Sequence, residues 1–259
     1  MRIAVSIAGS DPTGGAGLQL DLQVFRALGV HGAGVVTALT VQDTVKVHRV
    51  LPAFPNVVLE QIRVLLRDVR PAVVKLGMLA TDDVARAVAL GLVETDAPLV
   101  IDPVLTASDG TPLLERRAWA ALLDLFGRAK LVTPNLLEAA QLTGGDTSTA
   151  RGVEDAARVC VAELGAEAAL VKGGHREGPP DDCLAERSTD GVAVTWLRGT
   201  RIEGPPVHGT GCALASATAA GLARGLPLGA AIDAARAFVA EALRRAEPAG
   251  RGARLLVFP

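Results

Sequence analysis

Five short clusters carry side chains suited to handling phosphate, metal or protons. His208-Gly209-Thr210-Gly211-Cys212 opens a stretch rich in Ala, Ser and Thr. Glycines ahead of a helix leave its first N–H groups unpaired, and the positive end of the helix dipole favours an anion there. Cys212 falls in the first turn, where the pKa of a thiol is expected to drop; a plain buried cysteine is the alternative. Lys172-Gly173-Gly174-His175 sets a lysine and two glycines at a strand end, where the amine can reach a phosphate oxygen. Lysine occurs only at 46, 75, 130 and 172, so its use there is informative. Asp102-Pro103-Val104 offers a carboxylate for a Mg²⁺ shell, or an Asx-type turn before proline. Thr133-Pro134-Asn135 with Glu138 reads as a capped helix start that carries an acid one turn in. The loop from Gly9 to Gly17 contains three further glycine or alanine residues, Gly14, Gly15 and Ala16, and lets backbone N–H groups approach a ligand closely. It is neither a P-loop nor a dinucleotide fingerprint, because no Gly-Lys-Ser/Thr follows and GSDPTGGAG breaks the required spacing. Asp21, between Leu20 and Leu22, either sits on a solvated face or points back at a ligand.

The elements that must position these clusters are legible as alternating strand-length and helix-length patterns. Strands are expected at 3–8, 35–41, 47–54, 72–76, 98–101, 131–133 and 168–172, with antiparallel strands within 183–197. Helices are expected at 17–28, 55–69, 81–93, 116–126, 135–142, 152–164, 211–225 and 228–245. In the first helix, Leu18, Leu22, Phe25 and Leu28 share one face. The alternation predicts an α/β fold: one domain over 1–259, a mainly parallel central sheet with helices on both faces, and a small β flap or edge from the two strands between 35 and 54. Each reactive cluster follows a strand, so one crevice at the carboxyl ends can collect them all. A glycine-loop pocket, two acids, a lysine and an anion hole are the parts of phosphoryl transfer without a P-loop.

Composition narrows the classes further. The chain has 259 residues, 49% of them hydrophobic, enough for a full core. A formal charge of −2 provides no basic field for nucleic acid and no polybasic membrane patch. No segment reaches the roughly 20 apolar residues of a membrane span, and the N-terminus lacks a signal-peptide pattern. Cys160, Cys183 and Cys212 form no Cys-x-x-Cys pair, which points to a reduced, cytoplasmic setting with neither a disulfide framework nor a zinc site. The absence of tyrosine and the excess of arginine over lysine fit a GC-rich coding bias.

The segments AGSDPTGGAGLQLDLQVF, LTVQDT, KLGMLAT, DPVLTASDG, TPNLLEA, VKGGH and HGTGC resemble, in order and spacing, the hydroxymethylpyrimidine/phosphomethylpyrimidine kinases of thiamine biosynthesis. The resemblance spans residues 3 to 245 and implies a ribokinase-like fold. It implies transfer of the γ-phosphoryl of ATP to the hydroxymethyl group of the pyrimidine, then to the monophosphate. It places Gly9, Asp21, Gln42, Met78 and Val104 in the pyrimidine pocket, with the Gln42 amide pairing with the ring edge. It places Asp102 and Glu138 on Mg²⁺ through water, Lys172 and Thr210 on ATP phosphates, and Gly209 to Cys212 in the anion hole. Cys212 takes the place of the aspartate base of related sugar kinases. A homodimer is implied as well.

Two departures stand out. Ala213 replaces a threonine usual in the family, removing a hydroxyl from the ATP side. The chain ends in Gly250-Arg251-Gly252-Ala253-Arg254-Leu255-Leu256-Val257-Phe258-Pro259 rather than a Gly-Pro-Val tail. A pyridoxal/pyridoxine kinase is the alternative within the same fold, since both substrates are flat nitrogen rings bearing a hydroxymethyl group. A non-catalytic pyrimidine-binding protein would be expected to have lost an acid, the lysine or the anion hole, and this chain keeps them all. A dinucleotide-dependent oxidoreductase is disfavoured by the failed glycine spacing.

Overall fold

The strand Ile3–Ser10 (β1) lies inside the sheet and is covered on both faces, which is why its residues are apolar on both sides. The computed structural model describes residues 1–174 and 178–258; His175 lies outside the described residues. After β1 come α1 (Gly17–Ala27), β2 (His31–Gln42), β3 (Val47–Pro52), α2 (Pro55–Asp68), β4 (Val73–Leu76), α3 (Asp82–Leu92), β5 (Leu99–Ile101), α4 (Trp119–Phe126) and β6 (Ala129–Val132). The chain continues with α5 (Leu136–Thr143), α6 (Ala150–Ala162), β7 (Ala168–Val171), β8 (Asp182–Ser188), β9 (Gly191–Leu197), α7 (Thr210–Ala223) and α8 (Leu228–Arg244). The strands form one sheet in the order β3-β2-β1-β4-β5-β6-β7-β8-β9. From β2 to β7 neighbours pair in parallel, while β3, β8 and β9 add antiparallel edges. The expected α/β class is therefore observed. The order reverses at β1, between β2 and β4, so the carboxyl ends of β1 and β4 flank the crevice where such sheets bind ligands.

Local sequence explains the boundaries. Thr81 caps α3 by accepting from the Val84 N–H, and Asp82 and Asp83 sit at the positive end of its dipole. Pro55 occupies the first turn of α2, where its missing N–H costs nothing. The strand expected at 35–41 starts earlier, at His31. Gly32 and Gly34 mask it in sequence, because they exist to admit α1: a Cβ on Gly34 would lie 2.5 Å from Leu18 Cδ1, and one on Gly32 2.7 Å from Leu22 Cδ2. The far half of β2 leaves β1 and pairs with β3 as a hairpin, the expected flap.

Two apolar layers sandwich the sheet. One joins β1, β4, β5 and β6 to α2, α3, α4 and α6, with Phe126, Leu122 and Ile62 fully enclosed. The other joins the opposite sheet face to α1, α7 and α8 around Phe25, Leu20 and Ile232. Period-two alternation sends Val74 to the first layer and Val73 to the second. Among the described residues no helix is long and apolar enough to cross a membrane.

The second layer contains a charge. The buried face of α1 is Leu18, Leu20, Asp21, Val24 and Phe25, rotated from the expected Leu18-Leu22-Phe25-Leu28 stripe so that Asp21 points inward. Lys75, on β4, meets it there. Nζ donates to Asp21 Oδ1 at 2.9 Å and Oδ2 at 2.8 Å, and both side chains are 0% exposed. Ser6 of β1 and Ser216 of α7 each donate a hydroxyl to the same carboxylate at 2.5 Å. Burial opposes the charge on Lys75, but the adjacent Asp21 more than offsets it and raises the ammonium above its usual range. Removing one partner strands the other charge in an apolar layer. Lys75→Met is therefore expected to destabilise the fold by about 3–5 kcal/mol in urea unfolding, whereas Lys75→Met combined with Asp21→Leu recovers much of that loss. A Lys75→Met protein as stable as wild type would contradict the pairing.

Candidate active site

The start of α7 is shaped by glycines. Gly209 caps the helix in the left-handed region, at φ +76°, and a Cβ there would lie 1.9 Å from the Gly15 carbonyl oxygen. Only glycine lets this turn close on the loop after β1. No side chain caps α7, so its first N–H groups face the crevice with the dipole behind them. The head of Lys172 lies over this turn: a Cβ on Gly211 would come within 3.0 Å of Lys172 Nζ.

Lys172 ties the anion hole to the acids. It donates to Asp102 Oδ1 at 2.7 Å, and its backbone N–H donates to the Pro134 carbonyl at 2.9 Å. Asp102 also accepts from Thr133 Oγ1 at 3.1 Å and is 2% exposed. Burial pushes its carboxyl up, but Lys172 and Lys75 prevail and hold it below the usual range. Lys172 is raised in turn, because Asp102 and Glu138 outweigh its burial. Glu138 is buried and forms a reciprocal capping box with Asn135. Its Oε2 accepts from the Asn135 N–H at 2.7 Å, and its own N–H donates to Asn135 Oδ1 at 2.9 Å. Burial, reinforced by Asp102 and opposed by Lys172, pushes Glu138 up to about 7. Both readings of the Thr-Pro-Asn segment therefore hold together: Glu138 serves the cap and still belongs to the charged cluster.

The opposite wall is apolar. A Cβ on Gly9 would lie 2.8 Å from Met78 Sδ, so the glycine is what lets Met78 lie across the end of β1. Met78 clusters with Ala38 and Ala80, and Val104 and Val50 pack against it. The inner face of the β2–β3 flap thus meets Met78 and Val104. Gln42 ends β2 and borders an open cavity of about 420 Å³, together with Thr13, Thr44, Arg251 and Leu255.

The carboxylate of Asp21, expected in the pyrimidine pocket, is enclosed and bound to Lys75, Ser6 and Ser216, beneath α7. One expectation needs correction. Cys212 is not an acidified thiol. Burial pushes it up to about 12, with Asp102 and Asp21 adding to the rise and Lys75 and Lys172 opposing it. The residue is nonetheless only half-buried, unlike the enclosed Cys160 and Cys183. The other residues expected in the site, Gly9, Gln42, Met78, Val104, Asp102, Glu138, Lys172, Gly209, Thr210 and Gly211, all fall on loops or at element ends.

Sequence reasoning gave no role of their own to Lys75, Asp11 and His208. A lone lysine inside the apolar run Ala72 to Leu76, in a chain with four lysines, was the available signal for Lys75. The two departures also resolve. Ala213 is 0% exposed within the α1–α7–α8 layer, so its methyl is a packing group. The C-terminal tail docks beside the site. The Ala253 N–H donates to the Thr44 carbonyl at 2.9 Å, and the Arg254 carbonyl accepts from the His208 N–H at 2.9 Å. A Cβ on Gly252 would lie 1.9 Å from the Thr44 oxygen, so the tail can hold the flap turn this closely only with glycine there. Among the described residues, no three His, Cys, Asp or Glu side chains converge as a metal cage. The pair Asp102 and Glu138 fits a hydrated divalent cation completed by substrate phosphates, the usual situation for Mg²⁺.

The chain as a whole is matched among known proteins. The family described as phosphomethylpyrimidine kinase matches residues 11–256. A hydroxymethylpyrimidine/phosphomethylpyrimidine kinase of Rhizobium meliloti is 43% identical over 251 residues, covering 95% of this chain and 91% of that protein. The crystal structure of a phosphomethylpyrimidine kinase from Clostridium difficile superimposes with a TM-score of 0.82 at 30% identity, covering 94% of this chain and all of that one. A Bacillus subtilis pyridoxal kinase in complex with ADP superimposes with a TM-score of 0.89 at 30% identity, covering 100% of this chain and 97% of that one. With nearly its whole length matched, and with the crevice built as described, this chain belongs to the phosphomethylpyrimidine kinase family.

Proposed function

We propose that this kinase transfers the γ-phosphoryl of ATP to the hydroxymethyl oxygen of 4-amino-5-hydroxymethyl-2-methylpyrimidine, and then a second phosphoryl to the monophosphate, in thiamine diphosphate biosynthesis. The observation that carries the reading is the convergence of Lys172, the uncapped start of α7 and Cys212 at one point of the crevice. The Rhizobium relative's name couples the same two activities, and the ADP complex of the Bacillus neighbour supports a nucleotide in this fold.

The chemistry follows from charge. The hydroxymethyl oxygen attacks the γ-phosphorus, the bond to the β–γ bridging oxygen breaks, and ADP leaves. The N–H groups of Gly209 to Cys212 and the ammonium of Lys172 are aimed at the transferring oxygens, with Thr210 at the same turn offering a hydroxyl. Cys212 takes the hydroxyl proton in its thiolate form, the minor form at neutral pH, and Lys75 and Lys172 are the cations that favour it. Gly9, Met78 and Val104 provide the flat apolar wall for the ring, and Gln42 pairs with its nitrogen edge. Asp102 and Glu138 would hold Mg²⁺ through water, and when bound it neutralises phosphate charge that one lysine cannot.

A pyridoxal kinase is the second reading, favoured by the TM-score of 0.89 to the Bacillus enzyme. We further infer a cytoplasmic homodimer. Three free thiols support the compartment. The exposed apolar face of the flap, with Leu39, Val41, Leu51 and the neighbouring Phe54, supports the dimer.

Cys212→Ala is expected to lower kcat on the order of 10²-fold or more with little change in the KM for the pyrimidine, and near-wild-type turnover would remove Cys212 from the reaction. Because the thiol is pushed up to about 12, alkylation of Cys212 in the ligand-free protein should rise steadily from pH 7 to 9 without levelling off. Cys160 and Cys183 are fully buried and should not compete; a plateau near pH 7 would show an acidified thiol instead. Initial-rate titrations should show a raised magnesium requirement in Asp102→Asn and Glu138→Gln, and a wild-type magnesium curve in both variants would release these acids from the metal. Phosphorus NMR of a reaction with the pyrimidine and ATP should show a phosphomonoester and then a diphosphate; the absence of both products would overturn the proposed function.

A further inference from the structure

His208 precedes the anion hole and has no part in the chemistry derived above. Its Nε2 lies 3.0 Å from Asp11 Oδ2 and 3.0 Å from the atom placed as Gln42 Nε2, and the two ends of an amide are told apart only by the sense of their hydrogen bonds. One ring nitrogen thus faces two partners, and the sense of each hydrogen bond can be worked out. Asp11 is 3% exposed, and its carboxyl is held below the usual range: burial pushes it up, but the contacts from His208 and Thr13 prevail. A carboxylate only accepts, so Nε2 must carry a proton. A protonated Nε2 cannot accept from an amide NH₂. The group that Gln42 turns to His208 must therefore be its carbonyl oxygen, with Nε2–H shared between two acceptors.

The other end of the amide agrees. The atom placed as Gln42 Oε1 stands 3.1 Å from Thr40 Oγ1, but that hydroxyl has one proton for two acceptors, and the Ser10 carbonyl at 2.9 Å is the nearer and takes it. Oγ1 then has only lone pairs left for Gln42, and lone pairs call for the amide NH₂. With the amide in this orientation, each of these polar atoms has a partner of the correct sense. The chain of contacts runs Thr13, Asp11, His208, Gln42, Thr40, and joins the loop after β1, the turn before α7 and the end of the flap strand. The backbone on both sides of His208 is fixed as well: its N–H is bound by the Arg254 carbonyl, and Gly209 presses on Gly15.

We propose that His208, held by Asp11, is a positioning residue that fixes which way the Gln42 amide faces, and so decides which donor and acceptor Gln42 presents to the pyrimidine. This rests on the reading of Gln42 as the amide that contacts the ring. A freely rotating glutamine would offer either end to the substrate, and a locked one discriminates between rings by the pattern of nitrogen and amino groups on their edge.

Long-range proton–nitrogen NMR of the histidine rings in the full chain should show His208 protonated at Nε2; a bare Nε2 overturns the proposal without any substitution. His208→Ala should raise the KM for the hydroxymethylpyrimidine about tenfold, the scale of one lost hydrogen bond, while the KM for ATP and the melting temperature stay near wild type. His208→Gln, which restores an N–H at a similar reach, should recover most of that loss. If Gln42→Leu raises the pyrimidine KM and His208→Ala does not, the positioning role fails while the reading of Gln42 stands. If Gln42→Leu itself leaves the KM unchanged, the reading of Gln42 fails, and the proposal fails with it.

Discussion

The fully enclosed pair of Lys75 and Asp21 is the constraint around which the active end of this protein is organised. Four elements meet on it: β4 supplies the ammonium, α1 the carboxylate, and β1 and α7 the two serine hydroxyls. Such a pair gives up two hydration shells and gains little net stability over an apolar core of the same shape. Its physical consequence is geometric. Ser216 lies one helical turn after Cys212, so the bond from Ser216 to Asp21 fixes the rotation of α7 and with it the direction of its first turn. The pair also sets charges of both signs beneath the thiol: Lys75 opposes the upward shift of Cys212, and Asp21 adds to it.

Above this pair, close approach is obtained by leaving out side chains. Gly209 touches Gly15, Gly211 admits the head of Lys172, and Gly77 leaves room for Nζ of Lys75, which would lie 3.0 Å from a Cβ at that position. The run of alanines along α7 does the same on the scale of helices: a Cβ on Gly221 would lie 2.9 Å from that of Ala231 on α8. Small residues therefore bring two lysines, two acids and a helix terminus into a space where ordinary side chains would hold them apart. Burial pushes both acids up: for Glu138 it prevails and the carboxyl stands near 7, whereas for Asp102 the two lysines outweigh it and hold the carboxyl low.

The strand and helix pattern was readable because the sheet is covered on both faces and most of the helices are amphipathic, signals that depend only on neighbours in sequence; α7, buried almost all round, was readable from its length and its small residues instead. The flap was readable for a similar reason, since two strand patterns follow one another with no helix between them. The start of β2 was not, because Gly32 and Gly34 are chosen by the packing of α1 and look like loop residues in isolation. The glycine and acid clusters of the site were legible by type and by their place after strands. Their partners were not. Asp21 reads as either solvated or functional until Lys75, 54 residues away, is placed against it. His208 and Asp11 are separated by 197 residues and become a pair only through the topology of the sheet. The helix-dipole argument for Cys212 failed because it considered the helix alone, and the burial of the sulfur was decided by elements that pack against it.

What separates the two readings of the crevice is the ring that the flap admits. The same scaffold carries both types of kinase, with TM-scores of 0.82 and 0.89 to one of each. The choice lies in the edge presented by Gln42 and in the wall made by Met78 and Val104. The most direct measurement is kcat/KM by coupled ADP release for 4-amino-5-hydroxymethyl-2-methylpyrimidine and for pyridoxal, with the same protein at saturating ATP and magnesium. A clear preference for the aminopyrimidine, at least tenfold and so worth at least about 1.4 kcal/mol in transition-state binding, is expected. Equal values or a preference for pyridoxal would contradict the assignment.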